Sequence, residues 1–171
     1  MAATALLPGL SQINAWDTAH LGAAAASWTT TAETWEDAFT TVYRQAPFPG
    51  GTAWEGDAAD AAVLRVGSDR LTVLGAVDAL HDAASVARSG ASDIQAARQV
   101  VIAAVREAQA AGFTVGEDLS VTSRHTGGPP ALQAARRAQA EGLAATIRSR
   151  AAVLAAVEEQ VASESQVRQP L

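Results

Sequence analysis

Three histidines, His20, His81 and His125, and eighteen Asp and Glu residues are the groups from which a catalytic or metal centre would have to be built. Asp78 and His81 share a face if they lie on a helix, with Asp82 beside them, but two ligands do not close a metal shell. No histidine stands at metal-ligand spacing from another. Ser123-Arg124-His125 sets a hydroxyl near an imidazole in a loop, yet no serine sits in a Gly-x-Ser-x-Gly elbow, so a hydrolytic triad has no frame. Gly127-Gly128 lacks the rest of a phosphate loop, which ends in Lys-Ser or Lys-Thr, and the chain has no lysine. Asp57 and Asp60 are acids at a helix start, where the helix dipole favours them. Glu158 and Glu159 fit a solvated helix face. Cysteine is absent, which removes thiolate nucleophiles, disulfides and cysteine metal sites. These residues support no catalytic, cofactor or metal site. The expectation is a non-enzymatic protein that acts by recognition.

Composition narrows the partners. All twelve basic residues are arginine, the net charge is −6, and the isoelectric point is near 4.9. Without a basic stripe the chain lacks the phosphate-neutralising charge on which nucleic-acid affinity depends. Anionic membranes are disfavoured for the same reason. No stretch of about 20 apolar residues is present, so no transmembrane segment is expected. The first ten residues have no positive region and meet Pro8-Gly9, so they do not read as a signal peptide. Alanine makes up about a quarter of the chain, while aromatics are 5%. Alanine is the best helix former and lets helices approach closely. The arginine-only, alanine-rich usage points to a GC-rich, actinobacterial genome.

The elements follow from apolar period. Leu21, Ala25, Trp28, Ala32, Trp35, Phe39, Val42 and Ala46 alternate at four and three, predicting one helix over residues 11–46 capped by Ser11. Trp28, Trp35 and Phe39 would face a partner helix. Pro47, Pro49, Gly50 and Gly51 end it. Thr52 and Glu55 form a Thr-x-x-Glu capping box, so the second helix is expected from about residue 53. Its stripe includes Val63, Val66, Val73, Val77, Leu80, Ala84, Ala87, Ile94, Val101 and Val105. It continues to about residue 111, roughly 85 Å at 1.5 Å per residue, with a kink or short break expected at Ser89-Gly90. The short connection makes the two helices antiparallel neighbours.

After Gly112, the alternation of Phe113, Val115, Leu119 and Val121 reads as an extended stretch or a tiny hairpin. A third helix is expected over about 130–165, burying Leu132, Leu143, Ile147, Leu154, Val157 and Val161. Arg136, Arg137, Arg148 and Arg150 would lie on its solvated face. The last five residues should fray. The fold expected is all-α: an elongated antiparallel helical hairpin, a short extended segment and a third packed long helix. It forms one domain over 1–171, divided as 10–112, 113–128 and 129–166.

What the first two helices position is the stretch Trp54-Glu55-Gly56-Asp57-Ala58-Ala59. A helix, a short turn carrying Trp-x-Gly and a second long helix is the arrangement of the WXG family of type VII (ESX) secretion proteins. Over residues 10–110 the chain resembles that family, closest to its EspB/PPE-like helical domains. The later elements look like those added in longer actinobacterial members. The resemblance implies that Trp54 packs at the hairpin tip over the helix ends. It implies that Gly56 allows close backbone approach, and that this tip is half of a bipartite export signal. The other half in the family is Tyr-x-x-x-Asp/Glu. This chain departs there: its one tyrosine, Tyr43, precedes Arg44-Gln45-Ala46-Pro47 on the first helix.

Three explanations follow. A helical partner supplies the tyrosine motif, it lies beyond residue 171, or the chain is not exported. The resemblance thus implies a type VII secretion substrate, or the N-terminal targeting domain of a larger secreted effector, leaving by a leaderless route. It would engage the secretion machinery and either a helical partner or another copy. The alternative is a cytoplasmic helical scaffold with no export role.

Overall fold

The computed structural model describes residues 7–167. The expected fraying of the last residues lies mostly outside that range. The molecule is mostly helical, with three long packed helices and a small two-stranded antiparallel hairpin. The elements are α1 (Leu10–Ala15), α2 (Ala19–Gln45), α3 (Asp57–Ala110), β1 (Phe113–Val115), β2 (Val121–Ser123) and α4 (Pro130–Val167). Contacts divide the described chain into two units. One holds residues 20–89 and 163–167, the other residues 7–19 and 90–162.

In the first unit α2 lies against the first part of α3. Ala25 packs with Ala84 and Ala87, and Ala32 packs with Val77 and Leu80. As the α2 number rises the α3 number falls, so the pair is antiparallel. Trp28 spans both clusters, and Val73 joins the second. Alanines on both helices bring the pair close, and Trp28 is the large ring the seam holds. The expected packing is corrected at Trp35, which is 44% exposed, and at Val42, which is exposed; Phe39 and Val66 are half-buried.

The start of α3 also differs from expectation. Residues 52–55 are not helical, and no hydrogen bond joins Thr52 to Glu55 among the described residues, so the capping box does not form. The helix opens instead at Asp57, with the Gly56 carbonyl accepting from the Asp60 amide at 3.0 Å. Trp54 explains the competition: its amide donates to the Pro47 carbonyl at 3.0 Å, which holds residues 52–55 in the turn.

The second unit packs the last part of α3, α1, the β-hairpin and α4. Ile13, Ile94, Val101, Phe113, Leu119, Ile147 and Leu154 are buried within it. The Arg150 guanidinium reaches the Val100 carbonyl and Gly90 meets Val161, so α3 and α4 also run antiparallel. Of the stripe expected on α4, Ile147, Leu154 and Val161 are buried and Leu143 and Val157 half-buried, whereas Leu132 is half exposed. Leu132 lies in the first turn, near Gly128, before α4 is covered.

Two further expectations are corrected in this unit. The helix predicted over 11–46 is interrupted at residues 16–18, and Ser11 is not its cap. The α1 ends are satisfied by other elements. Glu117, in the β1–β2 turn, accepts from the Ser11 amide at 3.1 Å and from the Ser11 hydroxyl at 2.5 Å. Arg98 of α3 donates to the Ile13 and Asn14 carbonyls at 2.9 and 2.6 Å. Asp17 then accepts from the Ala19 amide at 2.8 Å and opens α2. Nor does α3 break at Ser89-Gly90; it is continuous. Gly90 is buried against Val161, and a Cβ there would sit 2.9 Å from the Val161 Cγ2. The glycine is a point of close helix approach, not a stop.

The extended segment is the tiny hairpin. Phe113 faces Ser123, Thr114 faces Thr122 and Val115 faces Val121. Its turn is held by the Asp118 carboxylate, which accepts from the Ser120 amide at 3.1 Å. Hydrogen bonds from the Ser120 side chain, and then from its amide, lower the Asp118 pKa below its ordinary value.

Candidate functional site

The α2–α3 turn carries the two residues singled out from the sequence. Pro47 and Pro49 end α2 because proline offers no amide to continue it. The chain then tightens through Phe48 and Gly51, whose amides donate to the Gln45 and Phe48 carbonyls at 2.9 Å each. Trp54 emerges 44% exposed and borders a shallow cleft with Pro49, Thr52 and Ala53. Its indole is presented at the turn rather than buried beneath it.

Gly56 has φ +103°, a backbone region that side chains oppose. No atom lies within 4 Å of where its Cβ would stand. Its role is therefore to reverse the chain into α3. The close approach implied by the family resemblance is not made at this glycine.

Beside the turn runs an apolar flank that sequence reasoning missed. Leu64 is 75% exposed and Leu71 68%, and Phe48 and Tyr43 are also exposed. Tyr43, Val63, Leu64, Gly67, Arg70 and Leu71 line one open cleft of about 450 Å³. The Arg70 guanidinium lies 5.4 Å from the centre of the Tyr43 ring, a cation–π distance. The Arg70 Nε is buried with no hydrogen-bond partner in the described structure. The flank thus offers aliphatic surface, one aromatic ring and one unsatisfied donor. The signal was present in the sequence. Leu64 and Leu71 stand one heptad apart, off the Val66–Val73–Val77 stripe, and mark a second apolar line on α3.

The groups considered for chemistry are not assembled. The Ser123 hydroxyl exchanges hydrogen bonds with the His125 backbone at 3.2 Å, not with its imidazole. Asp78 and Asp82 are exposed on α3 and His81 is half-buried between them. Glu158 and Glu159 lie exposed on α4. Among the described residues no group of three or more His, Cys, Asp or Glu residues is placed to hold a metal. No described helix is long and apolar enough to cross a membrane.

No protein-family model and no solved structure matches the chain. It is 48% identical over 159 residues to proteins named only as uncharacterized: Mb2102c of Mycobacterium bovis and Rv2077c of Mycobacterium tuberculosis. A second Mycobacterium tuberculosis strain carries another, at the same identity. The match takes in 93% of this chain but 48% of each relative. The chain thus spans about half the length of the curated relatives it matches.

Proposed function

We propose that this chain is a non-enzymatic recognition domain of the WXG kind: a type VII secretion substrate, or the targeting domain of a larger secreted effector. In this reading the α2–α3 pair is a helical hairpin closed by the Trp-x-Gly turn. Trp54 and Gly56 present the turn to the secretion machinery. The flank around Tyr43, Leu64 and Leu71 receives a helical partner that supplies Tyr-x-x-x-Asp/Glu, or a second copy. The chain is cytoplasmic until it leaves by a leaderless route.

The observation that carries the reading is the exposed Trp54 in a turn where Gly56 takes a positive φ that side chains oppose, next to an apolar flank left uncovered. Large exposed apolar side chains grouped in one place mark interaction surfaces. Relatives about twice as long are in keeping with a domain used within larger proteins.

The test is export of Trp54→Ala and Gly56→Ala variants from an actinobacterial host with its type VII system intact. Both variants should remain in the cytosol and vanish from the culture filtrate, with export scored relative to each variant's cytosolic abundance. A Leu64→Glu/Leu71→Glu variant should lose co-purification with its partner. Unchanged export and partner binding would sink the proposal. Retention of the unaltered chain in the cytosol would favour the scaffold role instead.

A further inference from the structure

The second unit holds a cleft of about 400 Å³ between β2 and α4, within the range of ligand pockets. Val121, Ser123 and His125 line one side, and Arg136, Arg137 and Glu141 of α4 line the other. Its strand side is an open edge. Arg124 donates to the Gly112 carbonyl at 2.9 Å, and Gly116 donates to the Ser120 carbonyl at 2.8 Å. With Thr114 opposite Thr122, these are the bonded pairs of the ladder. Phe113–Ser123 and Val115–Val121 are then the alternate, non-bonded pairs. The backbone N–H and C=O groups of Val121 and Ser123 therefore point away from β1, off the free edge. No turn, loop or cap hydrogen bond in the described structure takes them up.

The helix side is basic in an acidic chain. No carboxylate of a described residue forms an ion pair with Arg136 or Arg137. Arg136 is half-buried with its guanidinium 6.0 Å from the centre of the Phe113 ring. That distance is the outer limit of a cation–π contact, and the guanidinium keeps N–H donors for an acceptor.

From this juxtaposition we infer that the cleft binds an extended acidic peptide, which adds to β2 as a third strand and sets a carboxylate against Arg136 and Arg137. Main-chain bonds to Val121 and Ser123 give affinity without regard to sequence. The charge-assisted arginine contact selects the acidic residue. Glu141 disfavours a second acid at its end of the cleft and so limits the motif. The cleft shares no residue with the Trp54 turn, and this inference does not rest on the export reading.

The test is an amide NMR titration of the isotope-labelled, full-length chain with a synthetic hexapeptide pool. The pool is acidic at one central position, with valine, isoleucine and threonine mixed elsewhere. It should shift the amides of Val121 and Ser123. A pool with lysine at the fixed position, and one with N-methylated backbone amides, should leave them unmoved. Arg137→Gln should weaken binding about tenfold, the loss expected for one hydrogen bond to a charged group. Arg137 is exposed, so the melting curve should not change. Glu141→Gln should tighten binding. The inference is overturned if the acidic pool moves nothing at millimolar concentration, or if either control pool binds equally. It is also overturned if inorganic phosphate alone reproduces the shifts and blocks the pool, which would make the cleft a small-anion site.

Discussion

Two glycines, one in the turn before α3 and one inside that helix, have opposite physical meanings. Gly56 occupies φ +103°, whereas Gly75 lies inside α3 on its exposed side, and no atom stands within 4 Å of either Cβ position. Space is free at both, so backbone conformation alone decides the effect of adding a methyl group. Gly56→Ala should destabilise the fold by about 1–3 kcal/mol, the cost of holding a side chain in that region. Gly75→Ala should stabilise it by about 0.5–1 kcal/mol through helix propensity. Urea denaturation of the two variants measures both signs. Equal effects would mean that residues 52–56 do not hold the turn described. The comparison also guards the export experiment, because a Gly75→Ala/Gly56→Ala chain regains part of the lost stability, about 0.5–1 kcal/mol, without regaining the native turn. If export recovers in step with that stability, the defect of Gly56→Ala lies in folding. If export stays lost while stability rises, the turn itself is read.

At the scale of elements, the legible parts were those written in local chemistry. Pro47, Pro49 and the following glycines end α2 where expected, and the alternation from Phe113 marks the hairpin. The parts missed are imposed from a distance. Nothing in Trp16-Asp17-Thr18 is a strong helix breaker. The interruption there depends on Arg98 holding the α1 carbonyls and Glu117 holding its amides, partners far along the chain. The Trp-x-Gly turn is legible as a motif, but its capping box gives way to the Trp54–Pro47 bond, which the local sequence does not announce. The uncovered flank and the β2–α4 cleft required knowing which faces the fold leaves bare.

Gly90 is the clearest instance. In sequence it reads as a helix weak point; in the fold it is where α3 admits Val161. Gly90→Ala should therefore destabilise the protein by about 1–3 kcal/mol, the usual cost of overpacking, despite alanine's better helix propensity. Trimming the opposing side chain with Val161→Ala in the same chain should recover part of that loss. A double-mutant cycle by thermal or urea unfolding measures the coupling. Additive effects would show that the two side chains do not meet.

For the whole molecule, net charge and exposed apolar surface act in opposition. The chain carries −6 at pH 7, which keeps copies apart, while Leu64, Leu71, Phe48 and Trp54 favour burial against another surface. Salt weakens the first influence, since the screening length is about 10 Å at 0.1 M and shorter above it. Approach to the isoelectric point near 4.9 removes it altogether. Apolar association survives both changes. Light scattering on the purified chain should thus give 17.5 kDa in dilute low-salt buffer at neutral pH. The mass should rise with salt and as the pH is lowered toward 4.9. Leu64→Glu/Leu71→Glu should hold it at the monomer value, because it adds charge and removes the apolar contact together. Leu64→Gln/Leu71→Gln separates those causes: it leaves the charge unchanged and should still abolish association if the flank is the contact. Association that persists in the glutamine variant would place the contact elsewhere and remove the flank's claim to bind a second copy. Its claim to a helical partner would then rest on co-purification alone.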